Sequence, residues 1–197
     1  MRLYEKTDKE LIHSYLAGDN TSIEVLINRY KSKIYTSIYL LVKDTHLAED
    51  IFQDTFIKVI KTLKSGSYNE EGKFLPWVIR IANNLVIDYF RKERRTPIVA
   101  NNDSFDYFDI VSLADESMED KLVKEQSHRD LRKLIQLLPD DQKEVLIMRH
   151  YGEMSFKEIA TVTEVSINTA LGRMRYALNN LRKMMGDVAE LSLRTTG

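Results

Sequence analysis

The residue types and spacing best suited to a binding role lie between Ser155 and Arg182. This stretch has the pattern of a short amphipathic helix to Val162, a three-residue turn, and a second helix that starts at Ser166. Both serines are suited to be N-caps, and Glu158 completes a capping box with Ser155. The pattern predicts a helix-turn-helix, whose second helix can lie in the DNA major groove. It is also compatible with an ordinary helical hairpin.

A second candidate stretch, from Trp77 to Arg95, mixes aromatic, amide and basic side chains. The amides of Asn83 and Asn84 can hydrogen-bond base edges, and aromatic side chains can stack on unpaired bases. The cations from Arg91 onward can hold phosphates, and they exceed what a helix dipole requires. Alternatively, some of the apolar side chains in this stretch belong to a helical core.

An acidic stretch, Leu47 to Phe56, carries Asp50, Gln53 and Asp54 on adjacent turns of one predicted helix. Two carboxylates alone make a poor metal site, because hard cations need about six oxygen ligands. The stretch is either a solvated face or a docking face for a basic helical partner, which these side chains can bind across an interface.

No catalytic constellation is present in the sequence. The chain has no cysteine, which excludes disulfides, thiolate catalysis and cysteine-ligated zinc. The four histidines, which we expect to be surface or capping residues, are scattered, and no glycine-rich phosphate loop or nucleophile elbow occurs. We therefore expect a protein that is not an enzyme and that has no cofactor and no metal.

The net charge of −1 conceals an uneven distribution. Residues 22–95 carry 13 basic and 9 acidic side chains, and residues 126–186 carry 10 and 7. Residues 96–125 carry 2 basic and 8 acidic side chains. Two mildly basic blocks are thus separated by an acidic connector. Phosphate binding depends on local clusters of basic side chains and not on the net charge of the chain. Such modest charges predict weak DNA binding by the isolated protein.

The elements that must position these groups are helices, since the chain of 197 residues has only 7 glycines and 3 prolines. Apolar periodicity predicts helices at 8–17 (capped by Asp8), 20–42, 44–63 (capped by Asp44), 75–95, 118–137 and 140–151. The core of the helix-turn-helix is predicted to contain Ile159, Ala160, Val165, Ile167 and Leu171. In the helix before it, Val145, Leu146 and Met148 are predicted to point inward.

The order of these parts resembles an extracytoplasmic-function (ECF) sigma factor, the small two-domain class of the bacterial sigma-70 family. The resemblance covers about residues 10–95 and 125–185. Four stretches carry it: the opening segment Leu16 to Tyr30, the segment Ala48 to Phe56, the segment Phe74 to Tyr89, and Leu137-Leu138-Pro139 with Gln142, Val145, Leu146 and the closing Leu181-Arg182. The resemblance implies an all-α fold of two small helical domains, 10–95 and 125–185, joined by an acidic linker at 96–124.

The resemblance also implies roles for particular residues. Asp50, Gln53 and Asp54 would bind the β′ clamp helices of core RNA polymerase, and the second domain would meet the β flap. Tyr68 and Asn69 would capture a flipped base of the promoter −10 element. The other implied −10 contacts are Trp77, Arg80, Asn83, Asn84, Asp88, Arg91, Arg94 and Arg95. The implied −35 contacts are Ser166, Asn168, Thr169, Gly172, Arg173, Arg175 and Tyr176.

The second helix departs from the family at Leu171 and Gly172, where a basic or polar residue and a serine are usual. Base readout inferred from relatives does not extend to these two positions. Gly172 disfavours helix relative to alanine by about 1 kcal/mol, but it would permit close approach of the backbone to DNA.

As a sigma factor, the protein would direct promoter-specific initiation as a monomer in the holoenzyme, with an anti-sigma factor as a further partner. We expect a cytoplasmic protein without membrane insertion, because no apolar run approaches a membrane span. One alternative is a conventional dimeric helix-turn-helix regulator, which would bind a palindromic site. Another is a helical adaptor that binds only proteins.

Overall fold

The computed structural model describes residues 3–69, 73–93 and 129–195, with side chains described from 4–69, 73–93 and 129–186. Every regular element in these ranges is helical, as predicted from the sequence. Contacts among the helices group them into two compact units. The predicted linker 96–124 and the predicted helical residues 118–128 lie outside the described residues. None of the described helices is long and apolar enough to cross a membrane.

The first unit contains α1 (Asp8–Leu16), α2 (Asn20–Val42), α3 (Thr45–Lys64) and α4 (Phe74–Glu93), preceded by a short 3-10 helix at Leu3–Glu5. Helix α2 packs against the three other α-helices. As predicted, the Asp44 carboxylate caps α3 by accepting from the Leu47 amide at 2.7 Å. Pro76 falls in the first turn of α4, where the missing N–H is tolerated.

The start of α1 differs from the prediction. Its N-cap is Thr7, which forms a capping box with Glu10, and not Asp8. The Asp8 carboxylate instead binds Arg29 Nη1 at 2.6 Å and accepts from the Tyr30 hydroxyl at 2.7 Å, both on α2. Arg29 Nη2 also donates to the backbone carbonyls of Tyr4 and Lys6, at 3.2 and 2.7 Å. This polar cluster therefore fastens the N-terminal segment to α2.

The second unit contains α5 (129–136), α6 (Asp140–His150), α7 (Phe156–Val162) and α8 (Ile167–Thr195). Helix α6 packs against α7 and α8, and α7 packs against α8. The inward positions predicted for α6, Val145, Leu146 and Met148, are all buried. The unit thus has a core of its own, built around α6.

We expect the free energy of unfolding to fall between pH 10 and 12 more steeply in the wild-type protein than in Tyr30→Phe. Burial, followed by the hydrogen bond to Asp8, raises the pKa of Tyr30 to about 12. In the unfolded chain this phenol ionises near its ordinary pKa of about 10. Its contribution to stability is therefore complete below pH 10 and is lost as the pH rises through 12. Urea unfolding across this range measures both slopes, and equal slopes would contradict the prediction.

Candidate nucleic-acid interface

The predicted helix-turn-helix consists of α7, the turn 163–166 and α8. Ser155 and Glu158 form the predicted capping box, with the Ser155 amide donating to the Glu158 carboxylate at 2.8 Å. In the turn, Glu164 has a φ of 55°, in the left-handed region that non-glycine residues rarely adopt. This conformation lies in the turn that joins α7 to α8. It is followed by the predicted cap at Ser166, whose hydroxyl accepts from the Thr169 amide at 3.0 Å.

Helix α8 turns a face of small side chains toward α6 and α7. Ala170 and Ala177 are fully buried, and Leu181 is buried one turn further on. The prediction that Ile167 and Leu171 belong to this core is wrong, because they are 46% and 43% exposed. The two side chains lie four residues apart on a neighbouring face, which neither α6 nor α7 covers.

The outward face of α8 carries several of the predicted −35 contacts. Asn168 and Arg175 are exposed, Gly172 lies between them, and Leu171 lies beside Gly172. These positions recur at three- and four-residue steps, so that they share one side of the helix. Tyr176 is 63% exposed at the edge of this side.

Three of the other predicted −35 residues already have partners within the second unit. Arg173 Nε lies 3.2 Å from a carboxylate oxygen of Asp141 at the start of α6. The Ser166 and Thr169 hydroxyls hydrogen-bond each other at 2.9 Å within the helix cap. Asn168 and Arg175 are thus available to a ligand, whereas Arg173, Ser166 and Thr169 make contacts within the second unit.

Helix α4 carries a second outward face. Arg80, Asn84, Asp88 and Arg91 are all exposed, and their four-, four- and three-residue steps place them on one side. Asn83, which was predicted to contact DNA, is only 3% exposed, so its amide is not presented on this surface. The predicted contacts Arg94 and Arg95 lie outside the described residues.

An aromatic cluster stands at the beginning of α4. The rings of Tyr68 and Trp77 are stacked at a tilt, with centroids 4.3 Å apart. Phe74 lies behind them, 6.5 Å from Tyr68 and 5.9 Å from Trp77. Tyr68 and Trp77 are half-buried and Asn69 is exposed. The cluster therefore presents part of two aromatic rings beside an exposed amide.

Helix α3 carries the acidic face. Asp50, Gln53 and Asp54 are exposed on adjacent turns. Ile57 joins them, since it follows Asp54 by three residues and is 49% exposed. Ile57 was not predicted for this face, although it lies off the buried apolar stripe of α3 formed by Ile51, Val59 and Leu63, which was a usable signal. Within the described residues, no group of three or more acidic or histidine side chains is placed to hold a metal ion.

Family models match both parts of the chain. The model described as Sigma-70 region 2 matches residues 26–96, and the model described as Sigma-70, region 4 matches residues 128–179. The chain belongs to the sigma-70 family. It is 28% identical over 184 residues to the ECF RNA polymerase sigma factor SigW of Bacillus subtilis, covering 91% of this chain and 97% of that one. It is 27% identical to the RNA polymerase sigma-H factor of Pseudomonas aeruginosa, covering 93% and 96%.

Solved structures show the same fold. One is the sigma factor RpoE in complex with the anti-sigma factor NepR from Bartonella quintana, with a TM-score of 0.64, 19% identity, and coverage of 83% of this chain and 96% of that one. Another is CnrH in complex with the cytosolic domain of CnrY, with a TM-score of 0.61, 18% identity, and coverage of 92% and 99%. With the family models and the relatives, the protein is identified as an ECF sigma factor of RNA polymerase, with its helix-turn-helix in region 4.

We expect Glu164→Val to lower the free energy of unfolding by about 1 kcal/mol, because a β-branched side chain is strongly disfavoured at positive φ. Glu164→Gly should not lower it, since glycine adopts this conformation freely. Thr161→Val, at an exposed position of α7, is the control and should change stability by less than about 0.5 kcal/mol. Chemical denaturation of the full-length chain, followed by circular dichroism, measures all three. Equal losses for the valine and glycine variants at position 164 would contradict the prediction.

Proposed function

We propose that this sigma factor directs promoter-specific initiation by binding core RNA polymerase through α3 and promoter DNA through α4 and α8. The observation that carries the proposal is that the first unit has two outward faces of different chemistry on neighbouring helices. The α3 face is acidic at Asp50 and Asp54, whereas the α4 face carries two arginines, one amide and one carboxylate beside an aromatic cluster. One unit can thereby hold a protein partner and a nucleic acid at the same time.

The α3 face is suited to a basic helical surface of the polymerase, which we take to be the β′ clamp helices. Asp50 and Asp54 supply two carboxylates one turn apart, and Gln53 supplies an amide between them. Ile57 adds an apolar contact at the edge of the same face. Charge complementarity would orient the complex, and burial of Ile57 would add affinity.

The α4 face is suited to a separated −10 strand. Arg80 and Arg91 are placed to hold phosphates along the helix, and Asn84 between them can hydrogen-bond a base edge. The half-buried rings of Tyr68 and Trp77 offer a stacking surface, with the Asn69 amide beside it. This combination suits unpaired bases, because duplex readers do not need stacking platforms.

The outward face of α8 is suited to the duplex −35 element. Asn168 and Arg175 on that face can reach base edges or phosphates, with Tyr176 at its margin. The second unit would also contact the β flap. A dimeric regulator is not favoured, since the two family models together describe a sigma factor.

We further propose an anti-sigma partner and a cytoplasmic location. The two structures of similar fold are complexes with another protein, in one case named as an anti-sigma factor.

Run-off transcription with cognate core polymerase and a genomic promoter library tests the proposed function. Absence of promoter-dependent initiation, together with tight DNA binding by the protein alone, would overturn it.

We expect Asp54→Lys to weaken association with cognate core polymerase by roughly tenfold or more, because it places a like charge in a charge-paired interface. Glu24→Lys is the matched control: Glu24 is an exposed acid on α2 of the same unit, and the charge change is identical. Competition against fluorescently labelled wild-type protein measures both affinities. Equal losses in the two variants would show that net charge, and not the α3 face, governs association.

We expect Arg91→Ala to reduce the salt dependence of holoenzyme binding to a single-stranded −10 oligonucleotide. Loss of one phosphate contact should lower the slope of log K against log salt by about 0.7. Lys31→Ala removes an exposed cation from α2, away from both proposed interfaces, and should leave the slope unchanged. Titrations of the oligonucleotide at several salt concentrations measure the slope for each variant. An unchanged slope for Arg91→Ala would remove this side chain from the DNA interface.

A further inference from the structure

Two apolar side chains near the start of α8 are only partly covered by the second unit. Ile167 is the first residue of the helix and Leu171 follows one turn later, and nearly half of each side chain is exposed. Side chains four residues apart lie about 5–6 Å from each other on a helix. They therefore form one small apolar patch at the beginning of α8, the helix proposed to bind the DNA duplex.

Gly172, beside this patch, is not required by the fold. A methyl group built at this position would meet nothing within 4 Å, and its φ is not positive. Glycine in a helix interior disfavours folding relative to alanine by about 1 kcal/mol. The missing side chain leaves the helix surface bare next to Leu171, so that a ligand can approach the backbone closely there.

Charge identifies the class of ligand. No aspartate or glutamate occurs from Ile167 to Gly186, whereas Arg175, Arg182 and Lys183 are all exposed on this stretch. A polyanion is therefore the favoured partner of this surface. Within the DNA major groove, the one apolar group on a base edge is the 5-methyl group of thymine.

We propose that Leu171, with Ile167 beside it, reads thymine 5-methyl groups in the upstream promoter element. This inference rests on the proposed binding of α8 to that element. Asn168 and Arg175 would supply hydrogen bonds on the same face, and Gly172 would let the helix come close enough for the short leucine side chain to reach the methyl group.

The test removes only the methyl group. A promoter is first selected from a randomised duplex library by the reconstituted wild-type holoenzyme. Each thymine of the upstream element is then replaced, one at a time and on either strand, by deoxyuridine, which keeps the base pair. At one or two positions we expect open-complex formation at sub-saturating holoenzyme to fall by roughly three- to fivefold, as burial of one methyl group predicts.

The second part of the experiment repeats the comparison of thymine and deoxyuridine with Leu171→Ala. With this variant, thymine and deoxyuridine should be equivalent at one or more of the sensitive positions. Met185→Ala is the matched control, because Met185 is exposed on the same helix about 21 Å further along, and it should preserve the discrimination. The side chains replaced are exposed, so both variants should fold.

The outcomes are distinguishable. If the wild-type holoenzyme initiates from its promoter but treats thymine and deoxyuridine alike everywhere, methyl readout is wrong and the proposed function stands. Methyl readout is also wrong, and the proposed function again stands, if Leu171→Ala weakens activity but still distinguishes thymine from deoxyuridine. The apolar patch would then contact a protein. If no promoter-dependent initiation occurs at all, the proposed function itself fails.

Discussion

The close packing of α8 against α6 and α7 decides which side chains of the second unit can meet a partner. Ala170 and Ala177 are fully buried in that contact, and their small side chains allow the helices to approach closely. A helix that buries one stripe must expose the opposite one. The exposed positions of Asn168 and Arg175, and of the apolar Leu171, follow from that single contact.

The same constraint shapes the first unit. Helices α3 and α4 pack against each other, and each buries one apolar stripe. Their outward stripes are left to polar side chains of different character, with Asp50 and Asp54 on α3 and Arg80 and Arg91 on α4. Because Asp50 and Asp54 belong to one helix of this compact unit and Arg80 and Arg91 to another, each pair can meet its own partner.

This distribution explains why a chain with a net charge of −1 can belong to a DNA-binding family. Local potential depends on which charges share a face, and α8 has no acidic residue over the twenty positions from Ile167 to Gly186. The modest number of exposed cations favours weak binding by the free protein. Affinity for a promoter would then depend on the contribution of the polymerase.

Local sequence was sufficient for the helices and their caps. The capping box of Ser155 and Glu158, the cap at Asp44 and the inward face of α6 were all predicted, because each depends on residues within one or two turns. The first two helices illustrate the limit. Thr7 and Asp8 are both good caps, and the choice between them was made by Arg29 and Tyr30, about 20 residues away.

Orientation required the tertiary structure. Periodicity shows which residues share a helix face, but it does not show which face the neighbouring helices cover. Ile167 and Leu171 were therefore predicted to lie in the core, but both are exposed. Asn83 and Asn84 were both predicted to contact DNA, but only Asn84 is exposed. Local sequence patterns were enough to predict the helices that the structure describes, their order and the family. Only the packing of one helix on another decided which of their side chains remain available to a partner.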